Sequence, residues 1–224
     1  MSRKTMTERD LREVPAYSIT EAAGYLRMPK STLRAWMLGQ QSFRSVIEIA
    51  DRQARQLSFI NLVEAFVLSA IRREHSIPLP KVRKAVDFLR RSFKTHRPLA
   101  DEQFATDGVH LFVEKFGKLI GATQEGQIQM REVILDRLKY VRRDPKGVPE
   151  KIVLFPARGA PAKGDVVIDP RISFGRPVLD GFGVRTAILA ERFHAGDSID
   201  ALAHDYGVPP EAIENALRCE PRAA

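Results

Sequence analysis

The segment from Lys30 to Trp36 combines hydrogen-bonding side chains with apolar anchors at the spacing of one short helix. Leu33 and Trp36 lie three positions apart, so they share a helix face that is able to pack. The other positions supply polar or cationic groups: Lys30, Ser31, Thr32 and Arg34. Such groups on the exposed N-terminal part of a helix are typical of hydrogen bonding to base edges in the DNA major groove.

Two helices separated by a break must position these groups. Ser18 or Thr20 is able to cap the first helix, whose apolar face is formed by Ala22, Ala23 and Leu26. Pro29 suits the start of the second helix and Gly39 its end, which predicts a helix over residues 30–38. The spacing predicts a DNA-binding helix-turn-helix, and the alternative is a helical hairpin that only packs.

Cationic side chains follow the second helix. Residues 44–57 partly alternate between apolar and polar types around a turn-like centre, which predicts a short hairpin, or wing. Two amphipathic helices follow, one capped by Ser58 over residues 59–75 and one after Pro80 with a basic outer face. Residues 72–97 carry 9 basic and 2 acidic side chains.

Residues 17–97 resemble the DNA-binding domain of MerR-type regulators. The resemblance is carried by residues 19–23 and 29–36, and by the order of a recognition helix, a wing and a helix pair. It implies a winged helix-turn-helix in which Arg44, Arg52 and Arg55 would be wing or wing-flank phosphate contacts. The chain departs from that family in having no long coiled-coil helix after this segment.

Residues 98–164 are predicted to form a β-containing connector. We expect a hairpin over residues 110–121 that turns near Gly117, a helix over residues 128–143 and a strand over residues 151–155. Residues 156–164 contain two Pro, two Gly and three Ala, a composition that is typical of a linker.

Residues 165–224 reverse the charge of the first half, with 6 basic and 10 acidic side chains. A strand over residues 166–168 precedes three predicted helices: residues 186–194 with Thr186 as cap, a second helix capped by Asp197 or Ser198, and residues 210–218. The last helices have a second helix-turn-helix spacing. Because an acidic surface repels phosphates, we expect this domain to contact protein or to dimerise.

This C-terminal segment resembles a small domain of unknown function that occurs in VapB-type antitoxins. The resemblance is carried by residues 169–172, 175–178, 181–186, 196–199, 202–203, 205–206 and 212–213. With the MerR-like head, it implies an antitoxin that binds operator DNA and a PIN-domain ribonuclease toxin. PIN nucleases hold a divalent metal among carboxylates, which an antitoxin arginine would enter with bidentate contacts. The candidates are Arg142, Arg143, Arg218 and Arg222; the alternative for each is a solvated surface arginine.

The residue types and spacings needed for a disulfide, a metal site or a phosphate-binding loop are absent from the sequence. Cys219 is the only cysteine, which excludes an intrachain disulfide and a cysteine-based metal site. The five histidines have no metal-ligand spacing, and the glycines of residues 156–164 do not match a phosphate-binding loop. We therefore expect no enzyme, no metal and no cofactor. The N-terminus has no signal-peptide pattern and no stretch suits a bilayer, so we expect a cytoplasmic protein.

Together these patterns predict a mostly α fold with a small β component. The expected parts are a winged helix-turn-helix (1–97), a β-containing connector and linker (98–164) and a three-helix, helix-turn-helix-like domain (165–224). We expect a homodimer, because helix-turn-helix proteins usually read paired half-sites. The predicted function is a type II antitoxin that neutralises a PIN-domain ribonuclease and autorepresses its operon. The alternatives are a stand-alone MerR-like transcriptional regulator whose C-terminal domain dimerises, and an interaction scaffold that does not bind DNA.

Overall fold

Helices make up most of the fold. The computed structural model describes residues 10–40, 43–75, 79–155 and 161–220. Its α-helices are α1 (Ile19–Tyr25), α2 (Lys30–Leu38), α3 (Phe59–His75), α4 (Leu79–Phe93), α5 (Val109–Ile120), α6 (Gln124–Leu138), α7 (Thr186–His194), α8 (Ile199–Tyr206) and α9 (Pro210–Cys219). Its strands are β1 (Tyr17–Ser18), β2 (Gln56–Leu57), β3 (Val141–Arg143), β4 (Pro149–Phe155), β5 (Val166–Ile168) and β6 (Val178–Leu179). The predicted fold class, mostly α with a small β component, is confirmed.

The first two helices begin and end where local sequence signals predict. Ser18, rather than Thr20, caps α1: its hydroxyl accepts from the Glu21 amide, and the Glu21 carboxylate accepts from the Ser18 amide. This reciprocal pair satisfies two amides that the first turn leaves free. Pro29 precedes α2, and Gly39 ends it with a φ of 83°, in the left-handed region that favours glycine.

The wing is smaller than the predicted hairpin over residues 44–57. Among the described residues of this segment, strand pairing within it is limited to Asp51 and Gln56, which exchange two backbone hydrogen bonds of 3.0 Å. Gln56 is also the first residue of β2, and β2 pairs with β1 instead of extending the wing. Val46 and Ile47 are both buried, and both of their amides donate to the Trp36 carbonyl, so this part of the segment packs beneath α2.

The predicted hairpin over residues 110–121 is wrong, because these residues belong to α5. The buried apolar positions have helical spacing: Val109, Phe112, Val113 and Phe116. Gly117 does not turn the chain. A Cβ at this position would lie 2.6 Å from the Gln127 side chain, so the glycine allows α6 to approach closely.

A four-stranded antiparallel sheet follows, in the order β3-β4-β5-β6. The strands predicted at residues 151–155 and 166–168 are confirmed as parts of β4 and β5. The helix predicted over residues 128–143 ends at Leu138, and its last predicted residues form β3. The pairing of β4 with β5 crosses the expected boundary at residue 164, and residues 156–160 of the predicted linker lie outside the described part.

The three helices predicted after the sheet are present as α7, α8 and α9. Ser198 caps α8 by accepting from the Ala201 amide over 3.1 Å. Thr186 does not act as the predicted cap of α7, whose N-cap position is Arg185. The Thr186 side chain is instead buried, and its hydroxyl donates to Glu220 just beyond α9.

One hydrophobic cluster connects the three parts. Its buried side chains run from Tyr17 in β1 through the α5 aromatic residues to Cys219 in α9. Phe112 and Phe116 stack with ring centroids 5.2 Å apart at its centre. In the described ranges, no helix combines the length and the apolar character needed to cross a bilayer.

Candidate nucleic-acid interface

The outer face of α2 carries the polar side chains expected to reach DNA. Lys30, Ser31 and Arg34 are exposed, and Thr32 is half-buried. The opposite face is anchored by Leu33, Trp36 and Met37, none of which exposes more than 1% of its surface. The helix is therefore fixed by its apolar side and leaves its donors free to contact a groove.

Arg52 joins the wing to the end of α2. Its Nη2 donates to the Leu38 carbonyl over 3.1 Å, at the last residue of the helix. Arg52 and Arg55 are both exposed in the turn that the pairing of Asp51 with Gln56 closes, and Arg44 is exposed before it. The structure thus joins Arg52 to the end of α2, a positioning contact that the sequence did not indicate.

Asn61 supports the wing from within the core. This side chain of α3 is fully buried, and its Nδ2 donates to the Glu48 carbonyl over 2.8 Å. Its Oδ1 accepts from the amides of Ala50, over 2.8 Å, and Ser58, over 3.2 Å. A polar residue within the buried apolar face of a predicted helix is the sequence signal that could have identified it.

Two further arginines donate hydrogen bonds to the backbone of the wing. Arg90 of α4 donates through Nη2 to the Val46 carbonyl over 3.1 Å, and Arg97 donates through Nη1 to the Glu48 carbonyl. Arg83, two turns of α4 closer to its start, stacks on the Phe43 ring at 5.3 Å from the centroid. Part of the basic charge expected to face DNA is therefore used to fix the backbone of residues 43–48.

Glu64 is a buried carboxyl group in the same region. It exposes 1% of its surface within α3, and burial raises its pKa to about 8. The nearby charges of Arg97 and Arg90 only partly oppose this rise. The side chain is thus largely protonated at neutral pH, which removes the cost of burying a charge.

The C-terminal domain (residues 165–224, here called the tail) contacts the N-terminal domain (residues 1–97, the head) at α1 and at the turn before α2. Arg176 pairs with Glu21 of the α1 capping box, 2.5 Å apart. Gly175 lies against Tyr17, where a Cβ would come within 2.2 Å of the hydroxyl. Arg27, in the turn, donates to the Arg218 carbonyl at the end of α9. The exposed face of α2 is not part of these contacts.

The arginines expected to bind a toxin differ in the solvent exposure and in the hydrogen bonding of their side chains. Arg142 is exposed on β3, and Arg218 is exposed on α9, where it pairs with Glu214 over 3.1 Å. Arg143 is half-buried, and its Nη1 donates to the carbonyls of Ala100 (2.7 Å) and Gly147 (2.8 Å). Burial lowers the pKa of Arg143. This arginine is tied to backbone and is not available for the expected contact; Arg222 lies outside the described residues.

Comparison with known proteins gives the same order of parts. Residues 15–86 match a family described as "Putative DNA-binding HTH domain", and residues 166–218 match a family described as "Protein of unknown function (DUF433)". The chain is similar to "Putative antitoxin VapB45" of Mycobacterium tuberculosis (strain ATCC 25618 / H37Rv), at 32% identity over 92% of this chain and 93% of that protein. It is 22% identical to "Uncharacterized protein Rv2308" of the same strain, over 97% and 92% of the two chains.

A solved structure shares the overall fold. The crystal structure of Rv2018 from Mycobacterium tuberculosis matches this chain with a TM-score of 0.72 at 29% sequence identity. The match covers 92% of this chain and 98% of that one. The similarity therefore extends over head, connector and tail together.

Proposed function

Since the chain belongs to the family of VapB45, we propose that it is the antitoxin of a type II toxin–antitoxin system. In this proposal the head binds operator DNA, and another surface binds a PIN-domain ribonuclease toxin. The division into residues 1–97, 98–164 and 165–224 belongs to the same proposal, with the pairing of β4 and β5 joining the second part to the third.

The observation that carries DNA binding is the exposed outer face of α2. Lys30 and Arg34 are exposed on a helix whose opposite face is buried, and Arg52 of the wing contacts the end of this helix. A match of residues 15–86 to a helix-turn-helix family supports the same assignment. The side chains proposed to contact DNA are Lys30, Ser31, Thr32, Arg34, Arg44, Arg52 and Arg55.

The test of DNA binding is the affinity of the chain for DNA from its own promoter at fixed salt. The double variant Lys30→Ala, Arg34→Ala is expected to bind at least tenfold more weakly, because each lost base or phosphate contact costs about 1–3 kcal/mol. The matched control is Arg131→Ala, Lys139→Ala, which removes the same charge from exposed positions at α6. Equal affinity of the two double variants would exclude α2 as the DNA-reading helix.

Toxin neutralisation is proposed to involve the exposed arginines outside the head. Arg142 and Arg218 are presented to solvent, and Arg222 follows α9 in the sequence. A guanidinium forms bidentate contacts with carboxylates, which suits the metal-binding acidic cluster of a PIN nuclease. The test is growth during co-expression with the product of the adjacent gene. Growth inhibition that the wild-type chain does not relieve would contradict the antitoxin function and favour a stand-alone regulator.

Autorepression and dimerisation complete the proposal. A helix-turn-helix protein usually reads two half-sites as a dimer, so we expect a homodimer in solution. Light scattering measures the molar mass of the free protein in solution and so distinguishes a dimer from a monomer. A reporter fused to the operon's promoter is expected to be repressed by the wild-type chain and released in the Lys30→Ala, Arg34→Ala variant.

A further inference from the structure

The turn formed by residues 172–175, here called the Phe174 turn, has an unusual backbone. Ser173 and Phe174 have φ values of 49° and 54°, so two consecutive residues other than glycine adopt the left-handed conformation. Side chains disfavour this region because Cβ approaches the following carbonyl oxygen. The Phe174 side chain is nevertheless 93% exposed, so burial of the ring does not compensate for the strain.

Contacts on both sides hold the Phe174 turn in place. Before it, Arg171 pairs with Asp169 over 2.6 Å and with Glu150 over 3.1 Å. After it, Arg176 pairs with Glu21 of the head, and Gly175 packs directly against the Tyr17 hydroxyl. Strain of this kind persists only where surrounding structure imposes it, and it concentrates at functional sites. The backbone that carries the ring is therefore held on both sides, and the ring itself is exposed to solvent.

Exposed apolar side chains concentrate around this part of the chain. Of the seven large hydrophobic side chains that are exposed among the described residues, four belong to the tail: Ile172, Phe174, Ile188 and Phe193. Phe174 is by far the most exposed of the seven. An aromatic ring on a backbone that is already held in place is the type of group that anchors protein interfaces, because the backbone loses little conformational entropy when the ring binds.

We propose that Phe174 is the anchor through which the tail binds the toxin, with its ring in an apolar pocket surrounded by a basic surface. This inference rests on the proposed antitoxin function. A ribonuclease requires a basic surface to bind the phosphates of RNA, and residues 165–224 carry 10 acidic against 6 basic side chains. The net negative charge of the tail therefore complements the basic surface expected of this partner and disfavours DNA.

The cavity between α7 and α9 does not suit the ring of a second copy of the chain. It has a volume of about 390 Å³ and is lined mainly by charged or polar residues. Its lining includes Arg27, His194, Arg218 and Glu220. Inserting a phenyl ring there would remove water from charged groups without replacing their hydrogen bonds.

The test measures the affinity of the full-length chain for the protein encoded by the adjacent gene. Phe174→Ala removes the ring, and Phe174→Gly removes it while also relieving the left-handed strain. Both variants are expected to bind about tenfold or more weakly. Ile128→Ala, which truncates another exposed apolar residue (53% exposed), is the matched control and is expected to keep wild-type affinity. All three variants are expected to keep wild-type affinity for promoter DNA.

The outcomes separate this inference from the proposed function. Thermal midpoints at or above that of the wild type, expected for Phe174→Gly, show that weaker binding does not result from unfolding. If the wild-type chain binds the toxin and the Phe174 variants bind it equally well, the anchor assignment is wrong and the antitoxin function stands. If the variants instead change only the oligomeric state of the free protein, measured as its molar mass in solution, the ring contacts a second copy and the proposal is overturned. If the wild-type chain does not bind, the antitoxin function fails and the anchor fails with it.

Discussion

Arg52 donates a hydrogen bond through Nη2 to the carbonyl oxygen of Leu38 over 3.1 Å, which joins the wing to the last residue of α2. The contact also satisfies one of the carbonyls that the end of a helix leaves without an intrahelical partner. If the head binds DNA as proposed, we expect Arg52 to contribute in two ways, through its charge and through the placement of the wing.

Arg52→Ala is therefore expected to weaken DNA binding more than Arg55→Ala. Both variants lose one positive charge, and each is expected to reduce the slope of log affinity against log salt by about one. Only Arg52→Ala also releases the wing from α2. Titrations of promoter DNA at several salt concentrations measure both quantities, and equal affinities for the two variants would show that the Leu38 contact does not position the wing.

Asn61→Ala is expected to destabilise the fold by about 2–4 kcal/mol, because it removes three hydrogen bonds and leaves buried backbone groups without partners. The measurement is the free energy of unfolding in urea. Ser69→Ala is the matched control on the same helix: its buried hydroxyl makes one hydrogen bond, to the Phe66 carbonyl over 2.7 Å. We expect this control to cost about 1 kcal/mol or less. A similar loss for both variants would contradict the bridging role of Asn61.

The helix-turn-helix could be predicted because its signals are local. Ser18 and Gly39 mark helix ends within a few residues of the backbone groups that they affect, and Leu33 and Trp36 reveal a buried face by spacing alone. The residues that fix the wing could not be found in this way. Arg97 reaches a carbonyl 49 positions earlier, at Glu48, and such contacts depend on how helices pack.

The error at residues 110–121 has a different cause. Gly117 predicts a turn because glycine commonly ends strands and helices, yet here it lies inside α5. The requirement for glycine comes from Gln127 of the neighbouring helix, which would touch any Cβ at this position. The apolar spacing from Val109 to Phe116 is helical and was the more reliable signal.

Glu64 is expected to make the stability of the fold depend on pH. Its pKa is raised from 4.5 to about 8 by burial, so the folded state binds this proton more tightly than the unfolded state. The stabilisation is complete below pH 4.5 and is lost as pH rises towards 8, with a slope of at most about 1.4 kcal/mol per pH unit. Glu64→Gln removes the titration. We measure the free energy of unfolding of both proteins from pH 5 to 9. As the pH rises to 8, the wild type is expected to lose stability relative to the variant, and above pH 8 the difference between them is expected to level off. A constant difference across this range would show that Glu64 does not titrate between the two states.

Gly175→Ala is expected to disrupt the contact between tail and head. The glycine has a φ of 73°, and a Cβ would lie 2.2 Å from the Tyr17 hydroxyl. Gly183 has a similar φ of 69° with no atom within 4 Å of a Cβ, so Gly183→Ala measures the backbone strain alone. We expect Gly183→Ala to lower the free energy of unfolding by about 1 kcal/mol. Gly175→Ala is expected to lower it by about 1–3 kcal/mol more, as is typical of overpacking.

Tyr17→Phe gives a direct test of this explanation. The Tyr17 hydroxyl is buried and has no hydrogen-bond partner in the described structure, so its removal alone is expected to cost little. In the double variant with Gly175→Ala, the atom closest to the new Cβ is absent, and part of the lost stability is expected to return. The coupling free energy from the four unfolding curves measures this recovery, because the two residues are in contact. Additive effects would show that Gly175 is required for its backbone conformation alone and not for the approach of the tail to Tyr17.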